Sequence, residues 1–150
     1  MKIEEILSRL ENSKLSDENE VDVFIVEISS SLENLELDKD LKEKVINRLL
    51  CFIERQENEE FISWSLIHFI EWLDEGNTTN YTSQVLESLE RKPTYLALIL
   101  LNRIINSETA NLDVKDQLMQ ELKRVTVNPV ATDFVQQEAM DFYERQLKNL

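Results

Sequence analysis

The chain has 150 residues, a length that fits one ordinary domain, and 42% apolar residues, enough for a sizeable core. One glycine and two prolines are too few for the frequent turns of a β-sandwich. The single cysteine, Cys51, excludes an internal disulfide. The net charge of -14 disfavours nucleic acid and anionic membranes as partners, because both are bound through Lys and Arg.

The negative charge is concentrated in the first 90 residues. Residues 1–60 contain 17 acidic and 8 basic side chains, residues 61–90 contain 5 and none, and residues 91–150 contain 8 of each. Such a surface speeds encounter with a basic protein. The alternative interpretation is that the acidity only aids solubility.

Three amphipathic helices are predicted in the first third of the chain, over about 1–12, 16–35 and 38–56, because apolar residues recur there with helical spacing. Ser16 or Asp17 would cap the second helix, and Asp38 the third. The buried positions expected in these helices are Ile3, Ile6, Leu7, Leu10, Val21, Phe24, Ile25, Ile28, Leu32, Leu41, Val45, Leu49, Phe52 and Ile53.

A central helix is predicted over 61–75, the stretch that contains both tryptophans and the only histidine. At 100° per residue its two sides differ, since one is apolar and the other carries aromatic rings, an imidazole and carboxylates. The apolar side is Ile62, Leu66, Phe69, Ile70 and Leu73. The other side is Phe61, Trp64, His68, Glu71, Trp72 and Glu75. This second side could be a recognition surface or a second packing contact, and Gly76 would end the helix.

Four further helices are predicted after the loop at 77–80. They begin near Tyr81, Pro93, residue 109 and Pro129, with each proline in the first turn of its helix. The helix over 95–105 is apolar nearly all round, which predicts a position in the middle of the domain. The apolar face expected for the last helix is Phe134, Val135, Ala139, Phe142, Tyr143 and Leu147.

The second half of the chain contains an internal similarity at a spacing of 36 residues. It aligns Pro93 with Pro129 and Leu86 with Leu122, so a turn position and a core position recur together. Helix pairs at this period predict an all-α fold of stacked antiparallel hairpins, a HEAT-like α-solenoid. The alternative is an irregular helical bundle, and in both cases one helical domain over residues 1–150 is expected.

His68 and Glu71 stand three residues apart on one face of the central helix, and Glu75 lies one turn further, so an imidazole and carboxylates could converge as metal ligands or as an acid/base pair. A di-iron bundle would need a second histidine, which the chain lacks, and zinc would need carboxylates for its remaining ligands. The residues therefore favour a histidine bonded in or beside the core, then an interface contact, over metal binding or catalysis. No glycine-framed serine or phosphate-binding glycine loop is present. We expect neither enzyme activity nor a cofactor.

Two further expectations concern Arg103 and the location of the protein. Arg103 lies in an otherwise apolar helix, so pairing with a carboxylate such as Glu71, or with helix-end carbonyls, is expected. No segment approaches the roughly 18 consecutive apolar residues of a membrane span, and the amino terminus is not signal-like. A soluble, cytoplasmic protein without membrane contact is expected.

Three short motifs carry a family resemblance: Trp64-Ser-Leu-Ile-His-Phe-Ile-Glu71, Pro93-Thr-Tyr95 and Leu101-Asn-Arg-Ile-Ile-Asn-Ser107. They resemble small helical, HEAT-like immunity proteins of bacterial polymorphic toxin and contact-dependent inhibition systems, of the immunity protein 30 type. The resemblance spans roughly residues 61–107. It implies a cytoplasmic protein that binds and neutralises a cognate toxin domain, and the acidic charge independently suits a basic nuclease.

Two sets of site residues follow from this interpretation. The toxin contacts expected are the exposed acids at the two ends of the central helix, with one tryptophan as an anchor: Glu57, Glu59, Glu60, Trp72, Asp74 and Glu75. The motif residues are expected to form a structural network that ties two helices together: Trp64, His68, Glu71 and Arg103. The alternatives are an acidic adaptor that binds a partner helix in a groove, and an enzyme that uses His68 with Glu71.

Overall fold

The computed structural model describes residues 2–13, 17–74, 81–108 and 111–149. Within these ranges the chain forms eight α-helices and no strand, which confirms the all-α prediction. The helices are α1 (Ile3–Asn12), α2 (Glu18–Glu33), α3 (Lys39–Glu54), α4 (Trp64–Leu73), α5 (Thr82–Arg91), α6 (Tyr95–Ser107), α7 (Leu112–Val125) and α8 (Asp133–Lys148).

Side-chain caps mark the starts of α2 and α3. The Asp17 carboxylate accepts the N–H of Asn19 at the start of α2, and the Asp38 carboxylate accepts the N–H of Leu41 at the start of α3. Such caps satisfy N–H groups that have no partner within the helix, and each contributes about 1 kcal/mol. The predictions for Asp17 and Asp38 are therefore confirmed, whereas Ser16 lies outside the described residues.

The central helix is shorter than predicted because a cap lies inside the predicted range. The Ser63 hydroxyl accepts the N–H of Leu66 at 3.2 Å, so α4 begins at Trp64 and Phe61 lies in the connection before it. Phe61 is consequently buried instead of lying on the outer side of the helix. Gly76, the expected end of this helix, lies outside the described residues.

The two prolines precede their helices instead of lying in the first turns. Thr94 caps α6 and Thr132 caps α8, so both prolines are in the connections before the caps. Their position still fits the physical reason for the prediction, because a proline that lacks an N–H is tolerated only where no helix bond is needed.

The helices pack as neighbours and next-but-one neighbours along the chain. α3 lies against both α1 and α5, α2 lies beside α4, and α6 contacts α5, α7 and α8. This packing is consistent with a helical repeat or bundle. The central position predicted for α6 is confirmed, since six consecutive residues from Leu96 to Leu101 are buried.

The last helix faces the core with a different side than expected at its carboxyl end. Leu147, predicted to be inward, is 46% exposed, whereas Gln146 is buried. The Gln146 amide donates to the side-chain oxygens of Asn102 and Asn106 on α6, both at 2.7 Å. A polar contact between two helices therefore occupies the position where an apolar side chain was predicted.

Among the helices of the described ranges, none combines the length and apolar content that are required to cross a bilayer.

Candidate functional site

The outer side of α4 exposes both tryptophans to solvent. Trp64 is 53% exposed and Trp72 is 49% exposed, and His68 lies between them with its side chain 67% exposed. Their spacing of four residues places the three side chains along one side of the helix. We refer to Trp64, His68 and Trp72 as the aromatic face. About half of each of these side chains or more is therefore accessible to a partner.

Ring contacts hold the aromatic face in place. The Trp64 and His68 ring centroids are 6.1 Å apart, and Trp72 stacks on Phe69 with centroids 5.8 Å apart. Phe69 belongs to the buried core, so one side of the Trp72 ring is supported and the other remains available. Such rings lose little conformational freedom when a partner covers them.

A bidentate ion pair connects α4 to α6 beside the aromatic face. Arg103 Nη2 donates to Glu71 Oε1 at 2.8 Å, and Arg103 Nε donates to Glu71 Oε2 at 3.0 Å. The hydrogen bonds that Arg103 donates to this carboxylate raise the pKa of the guanidinium. His68 Nδ1 lies 3.7 Å from Glu71 Oε1. The expectation that Arg103 pairs with a carboxylate is confirmed, and Glu71 is that carboxylate.

A double-mutant cycle on this pair is expected to give a coupling energy of about 1 kcal/mol, because its geometry is bidentate although both side chains remain partly exposed. Glu71→Gln, Arg103→Gln and the double variant are compared by urea denaturation. The matched control is the Glu121–Arg124 pair within α7, where Arg124 is 71% exposed and the coupling should stay below about 0.5 kcal/mol. Equal coupling in the two pairs would contradict a special role for the pair between helices.

Asp74 is not an exposed acid, so the prediction of its exposure is wrong. It follows α4 directly, its N–H donates to the Ile70 carbonyl, and its side chain is buried. It lies near the buried Tyr81, whose pKa is raised by burial first and then by the negative charges of Glu71 and Asp74. Glu75 lies outside the described residues.

The connection between α3 and α4 carries Glu57, Glu59 and Glu60, all exposed. We refer to these three residues as the acidic turn. Within the described ranges none of them has an ion-pair partner. Two of them line a cleft of about 150 Å³ whose other walls come from the α5–α6 connection and the start of α8. The cleft is lined by Ile53, Gln56, Glu57, Asn58, Glu59, Phe61, Lys92, Pro93, Thr94, Tyr95, Thr132 and Val135.

The predicted toxin contacts do not converge on one point. The acidic turn precedes α4, whereas Trp72 lies near its carboxyl end, and ten helical residues span about 15 Å. The aromatic face runs between these two positions. Trp64, which the sequence places in a structural network, is exposed and follows the acidic turn closely along the chain.

The helix α2 runs alongside α4 and adds residues that the sequence pattern did not single out. Ser65 Oγ donates to Asp22 Oδ1 at 2.7 Å near the start of both helices, and Glu33 and Trp72 line a shared cavity near their ends. The two helices are therefore parallel. Val26, one turn after Asp22, is 63% exposed. The sequence indicated this exposure, because Val26 is not among the buried positions expected for the second helix.

The described residues contain no group of three or more His, Cys, Asp and Glu side chains that could hold a metal ion. His68 has Glu71 beside it, and the oxygens of Glu71 already accept hydrogen bonds from Arg103.

Comparison with known protein families gives a match. A family model described as immunity protein 30 matches residues 11–114, about two thirds of the chain. The matched segment includes the aromatic face, the acidic turn and the Glu71–Arg103 pair. No curated protein and no solved structure matches the chain.

Proposed function

The chain belongs to the immunity protein 30 family, and we propose that it neutralises a cognate bacterial toxin domain by forming a stoichiometric complex with it. The observation that carries this proposal is the family match over residues 11–114. Family membership identifies an immunity protein, whose partner is a toxin protein. We propose that neutralisation occurs in the cytoplasm and requires binding alone, without a catalytic step or cofactor.

The toxin that we propose is a basic nuclease. The supporting observation is the net charge of -14, because an excess of acids steers a positively charged partner toward the protein and suppresses association with nucleic acid. A nuclease must carry positive charge where it binds its substrate's phosphates. An acidic inhibitor can therefore cover that region or a site beside it.

The contacts that we propose with the toxin combine the acidic turn with the exposed end of α4. Glu57, Glu59 and Glu60 offer carboxylates that are not used in ion pairs among the described residues, and Trp72 offers an aromatic anchor. Glu75 remains proposed from the sequence. The carboxylate of Asp74 is buried and is removed from the set of direct contacts.

The Glu71–Arg103 pair is proposed to hold α4 in register with α6 and so to position the contact surface. This retains the structural role expected for Glu71 and Arg103 from the sequence. Trp64 and His68 are exposed on α4, which leaves them available for direct contact.

Co-expression with the toxin domain encoded immediately upstream tests the function. Cells that make the toxin domain alone should stop growing, and cells that also make this chain should grow and yield a complex of the two proteins. A chain with unchanged expression that neither restores growth nor co-purifies with the toxin domain would overturn the proposal and favour an acidic adaptor.

A further inference from the structure

The surface of α4 carries little net charge although the whole chain is strongly acidic. From Trp64 to Leu73 the only carboxylate is Glu71, and the Arg103 guanidinium neutralises it. The centre of a protein interface is typically depleted in unpaired charge and enriched in Trp and Arg. The outer side of α4 has this composition while it is exposed to solvent.

The two tryptophans are the largest apolar groups among the exposed side chains of the described residues. Burial of the exposed part of each tryptophan ring against a partner would remove substantial apolar surface from water. Phe69 supports the Trp72 ring from below, and the His68 ring lies 6.1 Å from the Trp64 ring. The rings are therefore already ordered, which reduces the entropy lost on binding.

Exposed apolar surface continues from α4 onto α2. The Asp22–Ser65 hydrogen bond fixes the two helices side by side, and Val26 projects into solvent one turn later on α2. The surface formed by Val26 and the aromatic face is therefore built on two helices that are held in register, and not on a mobile loop.

Acidic residues lie at both ends of this surface. The acidic turn is at the amino end of α4, and at the carboxyl end the exposed Glu33 lines a cavity with Trp72, to which Lys42 also contributes. An apolar centre with a charged rim is the usual arrangement of a specific interface, in which the centre supplies affinity and the rim increases the association rate.

We propose that Val26 and the aromatic face form the apolar centre of the toxin interface, and that the acidic turn and Glu33 form its rim. This inference rests on the proposed function, since the occupant is the cognate toxin domain. The complementary toxin surface presents an apolar pocket bordered by Lys and Arg. The rim charge favours this occupant over a second copy of the chain, because two copies with a net charge of -14 repel each other.

The test measures the Kd between this chain and the toxin domain encoded immediately upstream. Trp64→Ala and Trp72→Ala should each weaken binding by about 30-fold or more, as the loss of an interface hot spot does. Circular dichroism and thermal melts establish that the variants are folded.

A second variant covers the case in which loss of a tryptophan unfolds the protein. Val26→Lys changes a side chain that is 63% exposed and should weaken binding by about tenfold or more, because it places a buried cation against a basic partner. The matched control is Leu112→Lys on α7, which is 68% exposed and changes the net charge by the same amount. It should weaken binding by less than about threefold.

The outcomes separate this inference from the proposed function. Failure of the unchanged chain to bind the toxin domain would overturn the proposed function. In another outcome, the unchanged chain binds the toxin domain, and the folded tryptophan variants and Val26→Lys bind it equally well. That result would overturn only the assignment of this surface. Sedimentation could instead show that the chain alone is a dimer, and that the tryptophan variants lose the dimer but keep their affinity for the toxin domain. That result would assign the surface to self-association.

Discussion

Replacing the acidic turn by glutamines, Glu57→Gln/Glu59→Gln/Glu60→Gln, should slow association with the toxin domain about tenfold at low salt. The three carboxylates are exposed and have no ion-pair partner within the described ranges, so their field acts on an approaching partner. High salt should abolish the difference, since the screening length falls to a few ångströms. Dissociation should change much less, because rim charges act mainly on the association rate. Stopped-flow or surface plasmon resonance at two salt concentrations measures both rates.

The control for this variant removes the same number of charges elsewhere. Glu4→Gln/Glu5→Gln/Asp116→Asn also changes the net charge from -14 to -11, on α1 and α7 instead of beside α4. At about 0.1 M salt it should slow association by less than about threefold, because the Debye length is then about 10 Å and more distant charges are largely screened. Equal slowing by the two triple variants would show that total charge, and not the acidic turn, steers the encounter.

Truncating the centre of α6 should have the largest effect on stability. Leu100 is completely buried in a helix that contacts three others, so Leu100→Ala should lower the free energy of unfolding by about 2–5 kcal/mol through lost apolar burial and a residual cavity. Urea denaturation measures this change. The matched control is Leu147→Ala in α8, where the side chain is 46% exposed and the loss should be below about 1 kcal/mol. Similar losses in the two variants would contradict the central position of α6.

Patterns within single helices allowed most of the fold to be predicted. The helix α6 was recognisable as central because nearly every side is apolar, and Asp17 and Asp38 were recognisable as caps because each precedes an amphipathic segment. These features act through the nearest turn of chain, so the amino-acid sequence contains them directly. The start of α4 could have been predicted in the same way, since Ser63 is a good cap three residues before Leu66. The apolar Phe61 suggested an earlier start.

Contacts between helices limited the prediction of burial. One residue along a helix is a rotation of 100°, so α8 could face the core with either Gln146 or Leu147, and Asn102 and Asn106 on α6 decide in favour of the glutamine. Asp74 was expected at the surface because acidic residues are usually exposed, but its side chain is buried.

The candidate site was only partly accessible from sequence. The motifs over residues 61–107 indicated the family, and the family match extends over residues 11–114. The pairing of Glu71 with Arg103 could be anticipated because an arginine in an apolar helix requires a partner. The exposure of Trp64 and Trp72 could not, since the same pattern fits a helix covered on two sides. The position of Val26 beside α4 depends on the contact between Asp22 and Ser65, 43 residues apart.

The central claim is tested most directly by titrating the nuclease activity of the purified upstream toxin domain with this chain. Neutralisation by a stoichiometric complex predicts that activity falls in proportion to the added chain and reaches zero at about one equivalent, when the toxin concentration is far above Kd. The Leu112→Lys control should give the same titration. Undiminished nuclease activity in the presence of excess folded chain would contradict the account.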